Sequence, residues 1–270
     1  MLRERLISRS AHKPNEFKWR SREVSRLEGL SDTVFGFAIT LLIVSLEVPR
    51  TSGELLETMR GFVPFVFTFG VLYSLWHKQF IFFRRFGIED TPTVILNGAL
   101  LLFVLFFVFP FKFLIGVIVN RAFGSSKTIM LADGRIEPII QIEHWPKIFA
   151  IYGFGLAAIF LVFALLYRHA YTLRDELELN PVERFDTRET MRLYLCNAAM
   201  GIIVGLNGLV TGFRTTTRSD NVLAILFGVI ELSAIVVVLR FRTGKRKRRT
   251  AFIAQSGSPL SPQELPLHAS

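Results

Sequence analysis

The sequence predicts an all-α integral membrane protein with six transmembrane helices per chain. Three observations carry that prediction. Of the 270 residues, 51% are hydrophobic and 20% charged, and the mean hydropathy is +0.42. The apolar residues come in blocks such as GALLLFVLFFVFPF (98–111), polar on no face. A helix apolar all round belongs in a large core or in lipid, and several such blocks in one modest chain favour lipid. Basic residues, finally, are gathered in some connections between blocks and sparse in others. Together these exclude a conventional soluble enzyme, a disordered protein and a secreted disulfide scaffold. The single cysteine, Cys196, cannot form an internal bridge.

The six stretches are 31–48, 61–83, 93–118, 148–167, 194–213 and 222–239. Each approaches the roughly 20 residues that cross about 30 Å of hydrocarbon. The first is marginal, with Asp32 and Glu47 at its two ends. The second is apolar to Trp76, then reads His77-Lys78-Gln79 before FIFF. The third carries Pro110 and Lys112 near its end. Helices satisfy their own backbone groups in lipid, and the ~10-residue alternation of a barrel is absent. Residues 1–30 are too long and too charged for a signal peptide. Residues 119–147 form an outer loop too long for a tight turn. The Ser/Pro-rich tail 250–270 is expected to be disordered.

Six spans place both termini on one side of a membrane. With that alternation, 23 of the 32 lysines and arginines fall on the side of the termini and nine on the other. Both termini are therefore expected to be cytoplasmic, in a bacterial plasma membrane. The cluster Lys245, Arg246, Lys247, Arg248 and Arg249 follows the last span as a topology anchor, with anionic lipid as an expected contact. Topology accounts for the net charge of +10, so nucleic acid is not an expected partner.

The first constellation that could carry chemistry is Arg26-Leu27-Glu28-Gly29-Leu30-Ser31-Asp32, leading into VFGFAITLL. Charges at the mouth of a membrane helix are costly unless paired or wet. The plain reading is an N-cap by Ser31 or Asp32 with a snorkelling arginine. The same residues resemble the RxxxFSD signature of the transmembrane protein 175 family, the endosomal/lysosomal potassium channel and its bacterial relatives. Ala38-Ile39-Thr40-Leu41, Trp76-His77, Asp90, Asn97 and Pro110-Phe111 continue the resemblance over roughly 20–118.

The resemblance implies one six-helix unit per chain, assembled as a homotetramer whose first helices line a central pore. It implies a filter of apolar side-chain rings with a threonine ring nearby, and by position the pore residues Phe37, Thr40, Leu41 and Val44. Their spacing of i, i+3, i+4, i+7 is one stripe of a helix. An apolar ring there can gate by dewetting. Two positions depart from the family pattern. Leu30 replaces the motif Phe, and Phe37 stands where Leu or Ile is usual. Four phenyl rings would either obstruct the path or offer their faces to a cation. The plain alternative is that Phe37 packs on a neighbouring helix. The resemblance also casts Arg26, Ser31 and Asp32 as a structural network reaching Trp76, His77 or Asn97.

Three further features are weighed from the residues alone. Glu231 sits mid-span in the sixth stretch, as a cation or proton site or as a protonated partner of a polar neighbour such as Asn207. Gly201, Gly205, Gly208 and Gly212 fall on one face of the fifth stretch and allow close helix approach. The five histidines show no metal-ligand spacing, and no nucleophile, P-loop or dinucleotide motif is present. No metal, cofactor or enzymatic activity is expected; potassium is the expected permeant ion. The resulting expectation is a passive potassium-permeable cation channel. The alternatives are a proton- or cation-coupled transporter using Glu231, and a non-conducting membrane scaffold.

Overall fold

The computed structural model describes residues 17–21, 23–44, 51–122, 128–130, 136–138, 144–214, 243–244 and 248–252. Its elements are α1 (Arg26–Val44), α2 (Ser52–Phe86), α3 (Thr91–Ala122), β1 (Thr128–Met130), β2 (Ile136–Pro138), α4 (Trp145–Thr172) and α5 (Pro181–Arg214). The sixth predicted span, with Glu231, lies outside the described residues. Three of the described helices are long and apolar enough to cross a membrane: Thr91–Val117, Trp145–Thr172 and Pro181–Gly212. The described part of α1 is more polar because Arg26, Glu28 and Asp32 lie in it, and α2 is diluted by His77, Lys78 and Gln79. The chain is an integral membrane protein, and the elements among its described residues are helical apart from one small feature. Within the predicted outer loop β1 and β2 pair antiparallel, with Ile129 opposite Glu137. That ribbon sits in the loop and leaves the all-α class of the described helices in place.

Local chemistry explains where the helices start and stop. The Glu28 amide donates to Ser25 Oγ at 3.1 Å, so α1 is capped by Ser25 and begins well before the predicted span. The N-cap reading of Ser31 and Asp32 is thereby corrected: both lie inside the helix. In α2, Pro64 removes a backbone donor, and Thr68 Oγ1 donates to the Pro64 carbonyl at 2.8 Å. The helix stops at Gly87, whose φ of +61° suits a left-handed cap, and whose amide donates to the Phe83 carbonyl. Asp90 caps α3 through the Thr93 amide and meets His169 Nε2 of α4 at 2.5 Å. Burial pushes the Asp90 carboxyl up, but the bonds from Thr93 and His169 more than reverse this and leave it below its ordinary value. For α5, Asn180 and Glu183 exchange side-chain and amide bonds at 2.8 and 3.0 Å around Pro181.

The core joins α1 to α4 through Phe35, Leu42, Phe82, Phe86, Leu100, Phe163 and Tyr167. The closest helix pair is α4 with α5. A Cβ added to Gly201 would lie 2.7 Å from the Gly153 carbonyl, and one on Gly208 2.6 Å from that of Pro146. One on Gly205 would meet the Phe154 ring at 3.0 Å, whereas Gly212 has more room, with Pro146 Cβ at 3.5 Å. The glycine face thus packs on α4 of the same chain.

At one end of the bundle, here the base, the starts of α1, α3 and α5 meet the ends of α2 and α4. Two terminal segments dock there. Residues 17–21 cross the base: Phe17 packs edge-on against Phe86, and Arg20 grips buried Glu183 with two bonds of 2.8 and 3.2 Å. Residues 248–252 form a helical turn where the sequence predicts disorder. They are ordered because Arg248 and Arg249 meet Glu189 and Asp186 of α5, and Phe252 stacks on Phe185.

Candidate pore-lining face of the first helix

The helix α1 has two faces, and its sequence decides which is which. Glu28, Ser31, Phe35, Ala38 and Leu42 recur at steps of three and four and are all buried. Leu30, Thr33, Phe37 and Thr40 recur at the same steps on another face and are exposed, Leu30 by 56% and Phe37 by 58%. Leu41 is half-buried at the edge of that stripe. The Val44 backbone continues the helix, but its side chain lies outside the described residues. Phe37 does not pack into the core formed by the described residues. Thr40 and Thr33 donate their hydroxyls to the Gly36 and Gly29 carbonyls, each at 2.9 Å. Each threonine oxygen therefore keeps its acceptor capacity for a partner beyond the helix.

Polar residues fix the buried face at one level. Asn97 of α3 donates to Ser31 Oγ at 2.9 Å, and Ser31 donates to the Leu27 carbonyl at 2.8 Å. Gln79 of α2 in turn donates to Asn97 Oδ1. All three side chains are buried, so each bond replaces water that the site excludes. On the flank, Trp76 Nε1 donates to Asp32 Oδ1 at 2.7 Å. One turn nearer the base, Glu28 faces Arg84 at 3.3 Å, and the Arg84 guanidinium also lies over the Phe80 ring. These contacts set the rotation of α1, and so the direction in which Phe37 and Thr40 face.

Ser31, Asp32, Trp76 and Asn97 thus come together around α1, while Arg26 and His77 do not join them. Arg26 is exposed and has no hydrogen-bond partner among the described residues. The cation that faces α1 is the half-buried Arg84 instead, because Glu28 lies on the buried stripe and Arg26 does not. The His77 ring stacks on Tyr73 and Phe80 instead. It belongs to an aromatic ladder along α2 that runs through Phe62, Phe65, Phe69, Tyr73, Trp76 and Phe80. Gln79, Glu28 and Arg84 were not singled out from the sequence. Glu28 and Gln79 leave a signal, since they stand at helical spacing from buried apolar residues, Glu28 from Phe35 and Gln79 from Leu75 and Phe82.

Comparison with known proteins bears on the same segment. A family model described as the endosomal/lysosomal potassium channel TMEM175 matches residues 26–108. That range runs from the start of α1 through the polar layer into α3. A potassium channel of Marivirga tractuosa is 34% identical over 242 residues, which are 87% of this chain and 94% of that protein. The chain belongs to the TMEM175 family. A second potassium channel, from Chamaesiphon minutus, is 27% identical over 180 residues, 64% of this chain and 77% of that relative. Among solved structures, a variant of the potassium channel MtTMEM175 in complex with a nanobody–MBP fusion matches with TM-score 0.72 and 30% identity. The match covers 87% of this chain and 98% of that one. In this TMEM175 chain the matched segment holds both stripes of α1. Phe37 is the bulkiest side chain on the exposed one.

Proposed function

We propose that the chain forms a passive potassium-permeable channel in which the exposed stripe of α1 lines a central path. The observation that carries this is the division of α1: a buried face locked by the Ser31–Asn97–Gln79 layer, and an exposed face of Leu30, Thr33, Phe37 and Thr40. One chain cannot enclose a path with one helix, so several copies contribute. The reading is a homotetramer of six-helix units, as the family resemblance implies, with both termini cytoplasmic, as the distribution of basic residues implies. Likeness to relatives named potassium channels supports the choice of ion.

In this reading four Phe37 rings form the narrow apolar constriction, and the Thr40 oxygens nearby replace part of the ion's water. Leu41 and Val44 extend the apolar wall. A constriction of this kind resists hydrated ions by dewetting. Asp32 and Trp76 hold the pore helix and do not coordinate the ion. The basic run Lys245, Arg246 and Lys247 contacts anionic lipid beside the membrane.

The test is potassium and sodium flux into liposomes holding the purified protein. Phe37→Ala is expected to raise flux and to narrow the preference for potassium, and Thr40→Ala to change the preference with less effect on rate. Absence of potassium flux both before and after Phe37→Ala overturns the channel. Flux at carrier rates that vanishes in Glu231→Gln favours coupled transport instead.

A further inference from the structure

The carboxylates at the start of α5 hold basic segments from both ends of the chain. Glu183 takes the N-terminal arm through Arg20 and the Lys18 amide. Asp186 and Glu189, one and two turns further on, take the C-terminal turn. Arg248 places Nη2 and Nε at 2.7 and 3.0 Å from Glu189 Oε2, and Arg249 Nε lies 3.0 Å from Asp186 Oδ2. Beside them the Phe252 ring stacks on Phe185 at 4.8 Å, nearly parallel. The same Phe252 forms one wall of a cavity of about 350 Å³ lined by Arg184, Phe185 and Arg188.

The two C-terminal attachments are built to be left. Glu189 also accepts from Arg192 of its own helix at 2.8 Å, so it keeps a cation when Arg248 departs. Asp186 Oδ1 is buried without a hydrogen-bond partner among the described residues even with Arg249 in place, so the docked state is incompletely satisfied there. Arg248 and Arg249 belong to a run of five consecutive basic residues, Lys245 to Arg249. Guanidinium groups accept phosphate oxygens in the same forked geometry as carboxylates. A basic run close to a membrane is drawn to an anionic surface.

We propose that residues 248–252 are a detachable clasp on α5, and that anionic phospholipid headgroups compete with Asp186 and Glu189 for Arg248 and Arg249. On neutral lipid the clasp is closed and Phe252 covers Phe185. On anionic lipid the arginines exchange carboxylate for phosphate and Phe252 leaves the helix. The inference deepens the lipid contact proposed above for this basic run and is independent of conduction.

The experiment is a proximity measurement on the full chain in vesicles. With Cys196→Ser, the pair Phe185→Cys and Phe252→Cys is oxidised mildly with copper phenanthroline. The cross-link is scored by loss of labelling with a maleimide polymer. Vesicles are phosphatidylcholine alone, or equal parts phosphatidylcholine and phosphatidylglycerol. The expected result is a several-fold lower cross-link yield in the anionic vesicles. Adding Asp186→Asn with Glu189→Gln is expected to bring the neutral-lipid yield down to the same low level. Where that double variant does not insert, Arg248→Gln with Arg249→Gln replaces it, with the same expectation. Equal yields in the two lipids, or a higher yield on anionic lipid, overturn the exchange. Undiminished cross-linking in the charge variants on neutral lipid overturns the clasp. Neither readout involves ion flux, so failure here leaves the channel reading standing, and failure of flux leaves this one standing.

Discussion

Asn97 is fully buried and serves two helices at once, donating a hydrogen bond to Ser31 and accepting one from Gln79. Removing it leaves two buried polar groups short of a partner, and the cost of that falls on the fold. Asn97→Ala is expected to lower stability by about 1–2 kcal/mol, the upper range for a hydrogen-bonding residue within membrane helices. Ser31→Ala should cost less, since its partner Asn97 still holds Gln79. Thermal unfolding in detergent of the two single variants and the double variant checks this. A double variant that loses less than the sum of the singles shows the coupling. Asp32 differs in kind, because it only accepts, from Trp76 at the rim. An asparagine keeps an acceptor oxygen there, so Asp32→Asn is the mild change.

At the scale of the elements, the α4–α5 contact is the one most sensitive to a single carbon. The Cβ of Gly201→Ala would sit 2.7 Å from a backbone oxygen, which a rotamer change cannot relieve, so the helices must separate. The expected loss is about 1–3 kcal/mol, as for other overpacked sites. Gly212→Ala should be near neutral, since its nearest neighbour is 3.5 Å away. Melting temperatures of the two variants measure the contrast. The glycine face was plain in the sequence, because four small residues at helical spacing in an apolar run leave few readings. The partner helix was not, since nothing about Gly201 names Gly153 or Pro146. The true start of α1 was missed for a related reason. Hydropathy marks where lipid-like residues begin, whereas Ser25 caps a helix whose first turns are polar. The ribbon β1–β2 was also overlooked, although Asp133-Gly134 lies between its two strands in sequence and is a common hairpin pair. Its three-residue strands are too short to show a period.

At the scale of the whole molecule, the exposed stripe of α1 and the ladder on α2 together leave large aromatic side chains uncovered. Phe37, Phe62, Phe69 and Tyr73 are among them. The described residues of one chain leave the α1 stripe uncovered, whereas the proposed ring of copies would turn it inward. Native mass spectrometry of the detergent-extracted protein is expected to give four chains, and a monomer would remove the basis for a central path. The overall class was readable from composition because lipid imposes a length and an all-round apolarity that few soluble folds share. The orientation of α1 was not readable that way, because it is set by side chains from three separate helices. The grip of Arg20 on Glu183 spans 163 residues of chain. Synthesis delivers those residues in order, so Arg20 can meet the Arg84 and Arg85 carbonyls once α2 is made but must wait for Glu183 until α5 emerges. The arm is therefore placed in two stages, laid against the end of α2 early and locked by α5 only after the first four helices are made.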